Sequence, residues 1–383
     1  MSQVRSLPSP PNKYSVRLFQ YKPNQNTSHF DTVAMHMWNE RSIFDYAFYY
    51  HSLDSVFNRC TFSECVSEYQ IKFLQKNSKK KIIYDFAGEA VADQQLLDLV
   101  NAAETFCLNN EQIVVRTIDQ LQTDFLKNNI PNNVINQFRF VEHNPYYEFE
   151  IVPALKQKSK AKFSVLSRRH TPWRSYFFSE MHRKRYLRDC VFSYHGIKND
   201  TVVSVDKICK DILLHTGHEC SREFFEKMPY TIDSDTDYTP FYSGIPQPIM
   251  NTDIHIVLEH STFDEAAEYG APFISEKTYK AIAAKKPFLA VSDPGFLSSL
   301  ENLGFKTFSP YIPQDYDTIE NHKDRVDRIL EITKELRELS QLKFEKLLQD
   351  IQPIVDYNYD LLQQKAQSQP SLEDLLYQSC KQS

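Results

Sequence analysis

Three consecutive residues, Ser275, Glu276 and Lys277, have the types and the order needed to hold a phosphate ester at the start of a helix. Ser275 precedes a helical run and would cap it, which puts Glu276 at the first helical position and Lys277 at the second. Backbone N–H groups, the helix dipole and the Lys277 ammonium then converge where a diphosphate could sit. The Glu276 carboxylate can accept hydrogen bonds from two vicinal ribose hydroxyls. The same spacing also fits an ordinary capped helix with an acid in its first turn.

Glycine is scarce, with seven in 383 residues, and the common glycine-rich phosphate-binding motifs are missing from the sequence. There is no GxGxxG, and there is no GxxxxGK followed by Ser or Thr, so neither a dinucleotide fingerprint nor a P-loop is available. If the chain binds a phosphate ester, it must use helix N-termini and cationic side chains instead.

Two neighbouring arginines, Arg168 and Arg169, follow the apolar run FSVLS and precede a predicted helix. Thr171 is the expected N-cap of that helix and Pro172 its first residue. The two arginines would therefore lie at the carboxyl end of a strand, where open α/β sheets bind ligands. A guanidinium there can bind two phosphate oxygens and stabilise the charge on a leaving nucleotide. The alternative, surface arginines on a basic helix, better describes a second group further along: Arg183, Arg185 and Arg188.

The charge of the chain is unevenly distributed. Its net charge of -6 argues against a protein that coats nucleic acid over its whole surface. Between Lys156 and Arg188, however, eleven residues are Lys or Arg and Glu180 is the single acid. This segment either attracts an anion or forms a solvated helix face joined to a charged linker.

Strands alternate with helices in two successive blocks, which predicts an α/β fold of two Rossmann-like domains. With 41% hydrophobic and 13% aromatic residues, both blocks can build a core. In the first block an aromatic-rich helical stretch (32–57) precedes the strands KIIYDF, EQIVVRTI and FRFVEH. In the second block a helix from Pro172 to Leu187 follows FSVLS, and the later strands are CVFSYHG, IHIVLEH, PFLAVSD and FKTFS.

The domain boundaries follow from this pattern. Residues 1–30, rich in Pro, Asn, Gln and Ser, are expected to form a flexible arm, 31–155 a first α/β domain, and 156–330 a second α/β domain. After Ile319 the pattern is helical through Gln364, with a break expected at Pro353, so that 331–383 form a C-terminal helical tail.

Seven scattered cysteines and the absence of a signal core or a long apolar stretch predict a soluble cytoplasmic protein without a membrane span. The cysteines show no paired CxxC spacing, and reduced thiols are the simplest interpretation.

Two groups of residues resemble metal sites only in part. The run DSDTD (233–237) lacks the Gly and the distant Glu of a calcium loop, so it is interpreted as an ordinary loop. His215, His218 and Cys220 lack a fourth zinc ligand at a suitable spacing. We therefore predict no metal site and no cofactor.

One segment carries a family resemblance. The stretch IHIVLEHSTFDEAAEYGAPFISEKTYKAIAAKKPFLAVSDPGF resembles the nucleotide-sugar segment of the fucosyltransferases, in which an ENS triplet on a strand is followed by TEK at the start of a helix. It is even more similar to uncharacterised viral and bacterial fucosyltransferase-like proteins with a TEKTFKPIA-type motif. Their LGFKTF and YDEI segments read LGFKTF and YDTI here. The similarity covers 163–330 and implies a GT-B glycosyltransferase. In that fold 31–155 would be the acceptor-side domain and 156–330 the nucleotide-sugar-binding domain.

The resemblance assigns roles to particular residues. It implies that Glu276 and Lys277 bind the nucleotide ribose and diphosphate, and that Phe273 lies near the base. The altered triplet places Glu259 and His260 at the donor, with His260 in place of the Asn of that triplet. The resemblance also places an Arg at the strand end occupied by Arg168 and Arg169.

An inverting sugar transfer needs a general base for the acceptor hydroxyl, and in this fold the first domain supplies it. Asp85 and Glu89, in DFAGE at the end of a strand, are the candidates, and Glu89 is preferred. Either acid could instead be a solvated loop residue.

The sequence thus predicts a metal-independent, inverting glycosyltransferase that uses a nucleotide-diphosphate sugar and a hydroxyl acceptor. A glycan is the expected acceptor and modified DNA bases are the second. The rival class is a catalytically inactive nucleotide-sugar or nucleic-acid binding module. If the chain is viral, its place is the host cytoplasm. The sequence leaves the sugar, the nucleotide base and the oligomeric state open.

Overall fold

Two sheets with parallel strands organise the chain. The computed structural model describes residues 47–51, 68–78, 81–86, 93–148, 159–198, 201–232, 245–259, 273–371, 374–375 and 378. These residues form two units. The first takes in the described chain up to Asn144 and again from Gln369, and the second takes in the described chain from Pro145 to Ser368.

The first unit alternates strands and helices, and its four strands are parallel in the order β1-β2-β3-β4. Residues of β2 and β3 are buried throughout, as expected for short apolar strands covered on both faces. The core joins Ile82 and Val115 of the sheet to Leu99, Phe106 and Leu126 of the helices. The elements are β1 Ala47–His51, α1 Glu68–Lys76, β2 Lys81–Asp85, α2 Asp93–Phe106, β3 Ile113–Thr117, α3 Gln120–Asn129 and β4 Phe138–Glu142.

The helix predicted over 32–57 is wrong where the structure describes it. Ala47–His51 is a strand that pairs in parallel with β2, from Ala47 opposite Lys81 to His51 opposite Asp85. Its sequence, AFYYH, is mostly aromatic, and aromatic residues favour strands when a neighbouring strand is present. The remainder of that predicted helix lies outside the described residues.

The second unit has a five-stranded sheet in the order β7-β6-β5-β8-β9, in which all pairs are parallel except β6 with β7. The mixed α/β fold with parallel strands is therefore confirmed. The elements are β5 Ala161–Arg169, α4 Pro172–Arg183, β6 Cys190–Lys198, β7 Thr201–Val202, α5 Val205–Thr216, α6 Arg222–Phe225, α7 Gln247–Met250, β8 Thr252–Leu258, α8 Glu276–Ala283, β9 Phe288–Val291, α9 Phe296–Asn302, α10 His322–Glu338 and α11 Gln341–Ser368.

Two helix boundaries differ from the predicted ones. The helix predicted to reach Leu187 ends at Arg183, because Arg185 adopts a left-handed backbone conformation with φ of 61°. Pro353 does not break α11. Proline has no N–H, so Pro353 cannot donate the usual helical hydrogen bond to the Gln349 carbonyl. Both residues are exposed, so water can solvate this carbonyl.

The strand predicted at FKTFS is also wrong, since residues 305–308 form no strand. The amide of Asn358 on α11 accepts from the Lys306 N–H at 2.7 Å and donates to the Lys306 carbonyl at 2.8 Å. It thereby satisfies the two backbone groups that a neighbouring strand would have paired. Phe305 and Phe308 are buried on either side.

The expectation of reduced thiols is wrong for one pair of cysteines. Cys209 on α5 forms a disulfide with Cys220, with the two Cα atoms 5.3 Å apart. Gly217 ends α5 in the left-handed conformation and reverses the chain, which brings Cys220 back beside the helix. Cys107 and Cys190 are free.

None of the helices in the described part of the chain combines the length and the apolar character needed to cross a bilayer.

We predict that Asn358→Leu destabilises the protein by about 1 to 3 kcal/mol, because the part-buried N–H and carbonyl of Lys306 both lose their hydrogen-bond partner. Gln352→Leu, an amide-to-leucine change at an exposed position of the same helix, serves as the matched control and should change the stability little. Urea unfolding followed by circular dichroism measures both. If the two variants unfold at the same midpoint concentration of urea, this account of 305–308 is wrong.

Candidate functional site

The ends of β5 and β8 flank the point at which the strand order of the second unit reverses. From β5 the chain proceeds outward to β6 and β7, and it then returns to the other side of β5 for β8 and β9. Ligands of open α/β sheets bind outside the carboxyl ends of the strands at such a reversal. The structure brings Arg169, at the end of β5, and Glu259, directly after β8, to this edge.

A bulge shapes the end of β5. Ser167 lies opposite Tyr194, but Arg169 lies opposite Ile197, so β6 carries one extra residue. Gly196 accommodates it with φ of 65°, and a Cβ at this position would come within 2.7 Å of the Met228 sulfur. Bulges redirect neighbouring side chains and are common beside functional sites.

Arg168 and Arg169 are the last two residues of β5, and both are exposed. Arg169 makes no ion pair within the part of the chain that the structure describes. The predicted cap behind them is confirmed. The Thr171 hydroxyl accepts from the Arg174 N–H at 3.3 Å and Pro172 is the first residue of α4.

The predicted start of α8 is confirmed as well. Ser275 is the N-cap, and its hydroxyl accepts from the Lys277 N–H at 3.3 Å. The Lys277 ammonium is 2.7 Å from Glu276 Oε1 and 3.2 Å from Ser275 Oγ. Burial alone would raise the pKa of Glu276, but the charge and the hydrogen bond of Lys277, with the charge of Lys280, bring it below its ordinary value. The carboxylate is therefore held ionised in a buried position.

The carboxylate of Glu259 faces the first turn of α8. It accepts hydrogen bonds from the Ser275 N–H at 3.3 Å, from the Ser275 hydroxyl and from the Thr278 hydroxyl at 2.5 Å. Arg174 donates to the Glu259 backbone carbonyl at 2.6 Å. These contacts give the predicted donor residue Glu259 a positioning role, because they fasten α8 and α4 to the end of β8. Thr278 and Arg174 were not among the predicted site residues, although both follow a predicted N-cap by three residues.

Phe273, predicted near a nucleotide base, is buried and packs edge-on against Tyr146 with their ring centroids 6.5 Å apart. Tyr146 also stacks on Tyr279 of α8 at 6.1 Å. The aromatic cluster thus supports the back of the helix that carries Glu276 and Lys277. His260 lies outside the described residues.

In the first unit, Asp85 is buried at the end of β2 and forms an ion pair with Arg116 Nη1 at 2.7 Å. Arg116 Nη2 is 3.2 Å from His143 Nδ1, just beyond β4. Since a guanidinium only donates, His143 Nδ1 accepts in this contact. Arg116 and His143 were missed, although each marks the polar end of an apolar run. Glu89 lies outside the described residues.

No group of three potential metal ligands occurs within the described ranges. Cys220, one of the three residues considered for zinc, is committed to its disulfide, and the run 233–237 lies outside the described residues.

No family model and no curated protein matches the sequence. One similar solved structure is a glycosyltransferase from Rickettsia africae ESF-5, with 13% identity and a TM-score of 0.44, covering 95% of this chain and 85% of that one. TarM has 16% identity and a TM-score of 0.42, with coverage of 92% and 58%. The GtfA/B complex has 10% identity and a TM-score of 0.38, with coverage of 82% and 54%.

This chain therefore spans little more than half the length of the TarM and GtfA/B chains. With TM-scores below 0.5, none of the three structures transfers an activity or a residue role to it.

We predict that Glu276→Gln lowers the melting temperature at neutral pH and that the difference from the native protein narrows on acidification. A carboxylate with a depressed pKa stabilises the fold above its unfolded pKa, about 4.3, and loses this contribution as the pH falls through its folded pKa. Melting curves at several pH values between neutral and acidic conditions test this. A difference that stays constant over the whole range would contradict the assigned environment of Glu276.

Proposed function

We propose that the second unit binds a nucleotide-diphosphate sugar and that the chain is a GT-B-type glycosyltransferase that transfers the sugar to a hydroxyl acceptor. The observation that carries the proposal is the convergence of Arg168 and Arg169 with the capped start of α8 at the strand-order reversal. The fucosyltransferase-like motif supports it, because the same motif residues, Glu276 and Lys277, form the start of that helix.

The diphosphate is bound by cations and backbone N–H groups. Lys277 already sits at the helix N-terminus, where it is partly exposed and neutralised by Glu276. When a diphosphate binds, the ammonium contacts phosphate oxygens and Glu276 accepts from the ribose hydroxyls. Arg169 supplies a second charge from β5. These positive groups take the role that a divalent metal has in other sugar transferases, and we propose a metal-independent reaction.

The transfer is a single displacement with inversion. The acceptor oxygen attacks the anomeric carbon while the bond from that carbon to the diphosphate oxygen breaks, and the nucleoside diphosphate leaves with the electron pair. The arginines and Lys277 stabilise the negative charge on the leaving group. A carboxylate accepts the acceptor proton. Because Asp85 is committed to Arg116, Glu89 is the preferred base.

We propose a glycan as the acceptor. The topology of β5, α4 and β6 splits the basic segment between two edges of the sheet. Arg168 and Arg169 end β5, whereas Arg183 and Arg188 lie between the end of α4 and the start of β6, at the amino edge. Glu180 also pairs with Arg183 and Lys184. The described cations therefore do not form one strip along which DNA could reach the sugar.

We predict that one member of a panel of GDP, UDP and ADP raises the melting temperature in the absence of magnesium, and that EDTA leaves the shift unchanged. Binding to the folded state adds RT ln(1 + [L]/Kd), about 2.7 kcal/mol at a hundredfold excess over Kd. Arg169→Ala and Lys277→Ala should each weaken the affinity by about tenfold to a hundredfold, because each removes a charge-assisted contact.

Arg188→Ala is the matched control, since it removes an exposed arginine of the same basic segment at the opposite edge. It should bind the nucleotide as the native protein does. If EDTA abolishes the shift, the metal-free site is wrong. If neither Arg169→Ala nor Lys277→Ala changes the affinity, the donor site is wrong.

Slow hydrolysis of the matching nucleotide sugar separates a transferase from an inactive binding module.

A further inference from the structure

Four buried polar side chains form a connected network directly behind the arginine pair. His170 Nδ1 is 2.6 Å from Ser175 Oγ, and His170 Nε2 is 3.1 Å from Asp211 Oδ2. Ser175 Oγ is in turn 2.6 Å from the Tyr194 hydroxyl. At most 5% of any of the four residues is exposed to solvent. They come from four different segments: the end of β5, α4, β6 and α5.

The chemistry of Asp211 fixes the direction of its hydrogen bond with His170. Burial alone would raise the pKa of Asp211, but hydrogen bonds from Lys207 and His170 bring it below its ordinary value. An ionised carboxylate only accepts, so His170 Nε2 carries a proton and donates. Nδ1 of the same ring contacts the Ser175 hydroxyl, which in turn contacts the Tyr194 hydroxyl. One imidazole therefore links Asp211 to the Ser175–Tyr194 pair.

This arrangement of Ser, His and Asp does not form a nucleophile site. Ser175 has no exposed surface and lies inside α4, so no substrate reaches its hydroxyl. A nucleophilic serine must contact the reacting carbon. The network instead joins segments of the fold to one another.

The segment that it fixes is the one that carries the arginines. The His170 N–H donates to the Ile197 carbonyl at 2.8 Å, on the far side of the bulge, and Ser167 Oγ donates to the Arg169 carbonyl at 2.9 Å. Arg169 therefore stands between two backbone anchors, and the imidazole of the next residue is held from both of its nitrogens. These contacts restrain the backbone at the exposed end of β5.

We propose that His170 is a positioning residue for the diphosphate site, which holds Arg169 ready for the phosphate through its contacts with Ser175 and Asp211. This proposal rests on the proposed function. A held backbone reduces the conformational freedom that Arg169 loses on binding, so the affinity of its side chain for phosphate depends in part on how firmly that backbone is held. Removal of the imidazole leaves Asp211 and Ser175 without their shared partner. The backbone at this position keeps its N–H bond to the Ile197 carbonyl but loses the restraint from the side chain.

The test measures affinity for the panel nucleotide that the native protein binds, by calorimetry, at a temperature where circular dichroism shows each variant folded. We expect His170→Ala to weaken binding about tenfold, because the loss of a group that orients a binding residue typically lowers the affinity by about this factor. His170→Gln should restore part of the affinity, because its amide can donate to Asp211 and accept from Ser175. Inorganic pyrophosphate, which lacks the nucleoside, should show the same order of affinities.

His182→Ala is the matched control. His182 belongs to α4 and its Nδ1 is 2.7 Å from Ser221 Oγ, but it lies at the opposite edge of the sheet. Its loss should leave the affinity unchanged. If His170→Ala does not fold, Tyr194→Phe decides instead. This variant keeps the ring, removes one hydroxyl of the network, and should weaken binding about threefold, a loss expected of one neutral hydrogen bond.

The outcomes separate this inference from the proposed function. If the native protein binds and Arg169→Ala weakens binding, but folded His170→Ala or Tyr194→Phe binds as tightly as the native protein, the positioning role is overturned and the donor site stands. If His182→Ala is as damaging as His170→Ala, the effect is general destabilisation and the role is again overturned. If the native protein binds no member of the panel, both proposals fail.

Discussion

The buried carboxylate of Glu259 is the contact on which the candidate site depends. It lies directly after β8 and accepts hydrogen bonds from Ser275 and Thr278, so it ties the first turn of α8 to the end of a central strand. Arg174 binds the carbonyl of the same residue and ties α4 to that strand. A buried carboxylate without such donors would be costly. The site is therefore built only if helix, strand and carboxylate assemble together.

Beside this contact, the charge of Lys277 is balanced by that of Glu276. Lys277 pairs with Glu276 at the surface of the helix start, while Arg169 extends from the end of β5. In the proposed function, a nucleoside diphosphate would exchange the Glu276–Lys277 contact for two new ones, phosphate oxygens on Lys277 and ribose hydroxyls on Glu276. The exchange requires little movement of the backbone, because Glu259 fixes the helix and the His170 network restrains the strand.

Local rules were sufficient for part of this architecture. The caps at Thr171 and Ser275 were predictable because an N-cap is defined by the residues within one turn of it. The parallel strands were predictable because short apolar runs alternate with helical periodicity. The location of the arginines at a strand end followed from the same pattern. The binding roles of these residues stay predictions.

The rest depended on contacts between residues far apart in sequence. In the stretch 305–308, the N–H and the carbonyl of Lys306 are hydrogen-bonded to Asn358, some fifty residues later. No local signal distinguishes this stretch from a strand. Ala47–His51 needs β2 as its neighbour to be a strand. The role of Glu259 also could not be inferred from its motif, because the groups that saturate its carboxylate follow it by 16 and 19 residues.

A crystal structure of the protein with its best-binding nucleoside diphosphate tests the central claim most directly. The account predicts phosphate oxygens within about 3 Å of Arg169 and Lys277, with the ribose hydroxyls on Glu276, at the carboxyl ends of β5 and β8. A nucleotide bound instead to the first unit, or at the amino edge beside Arg183 and Arg188, would contradict it.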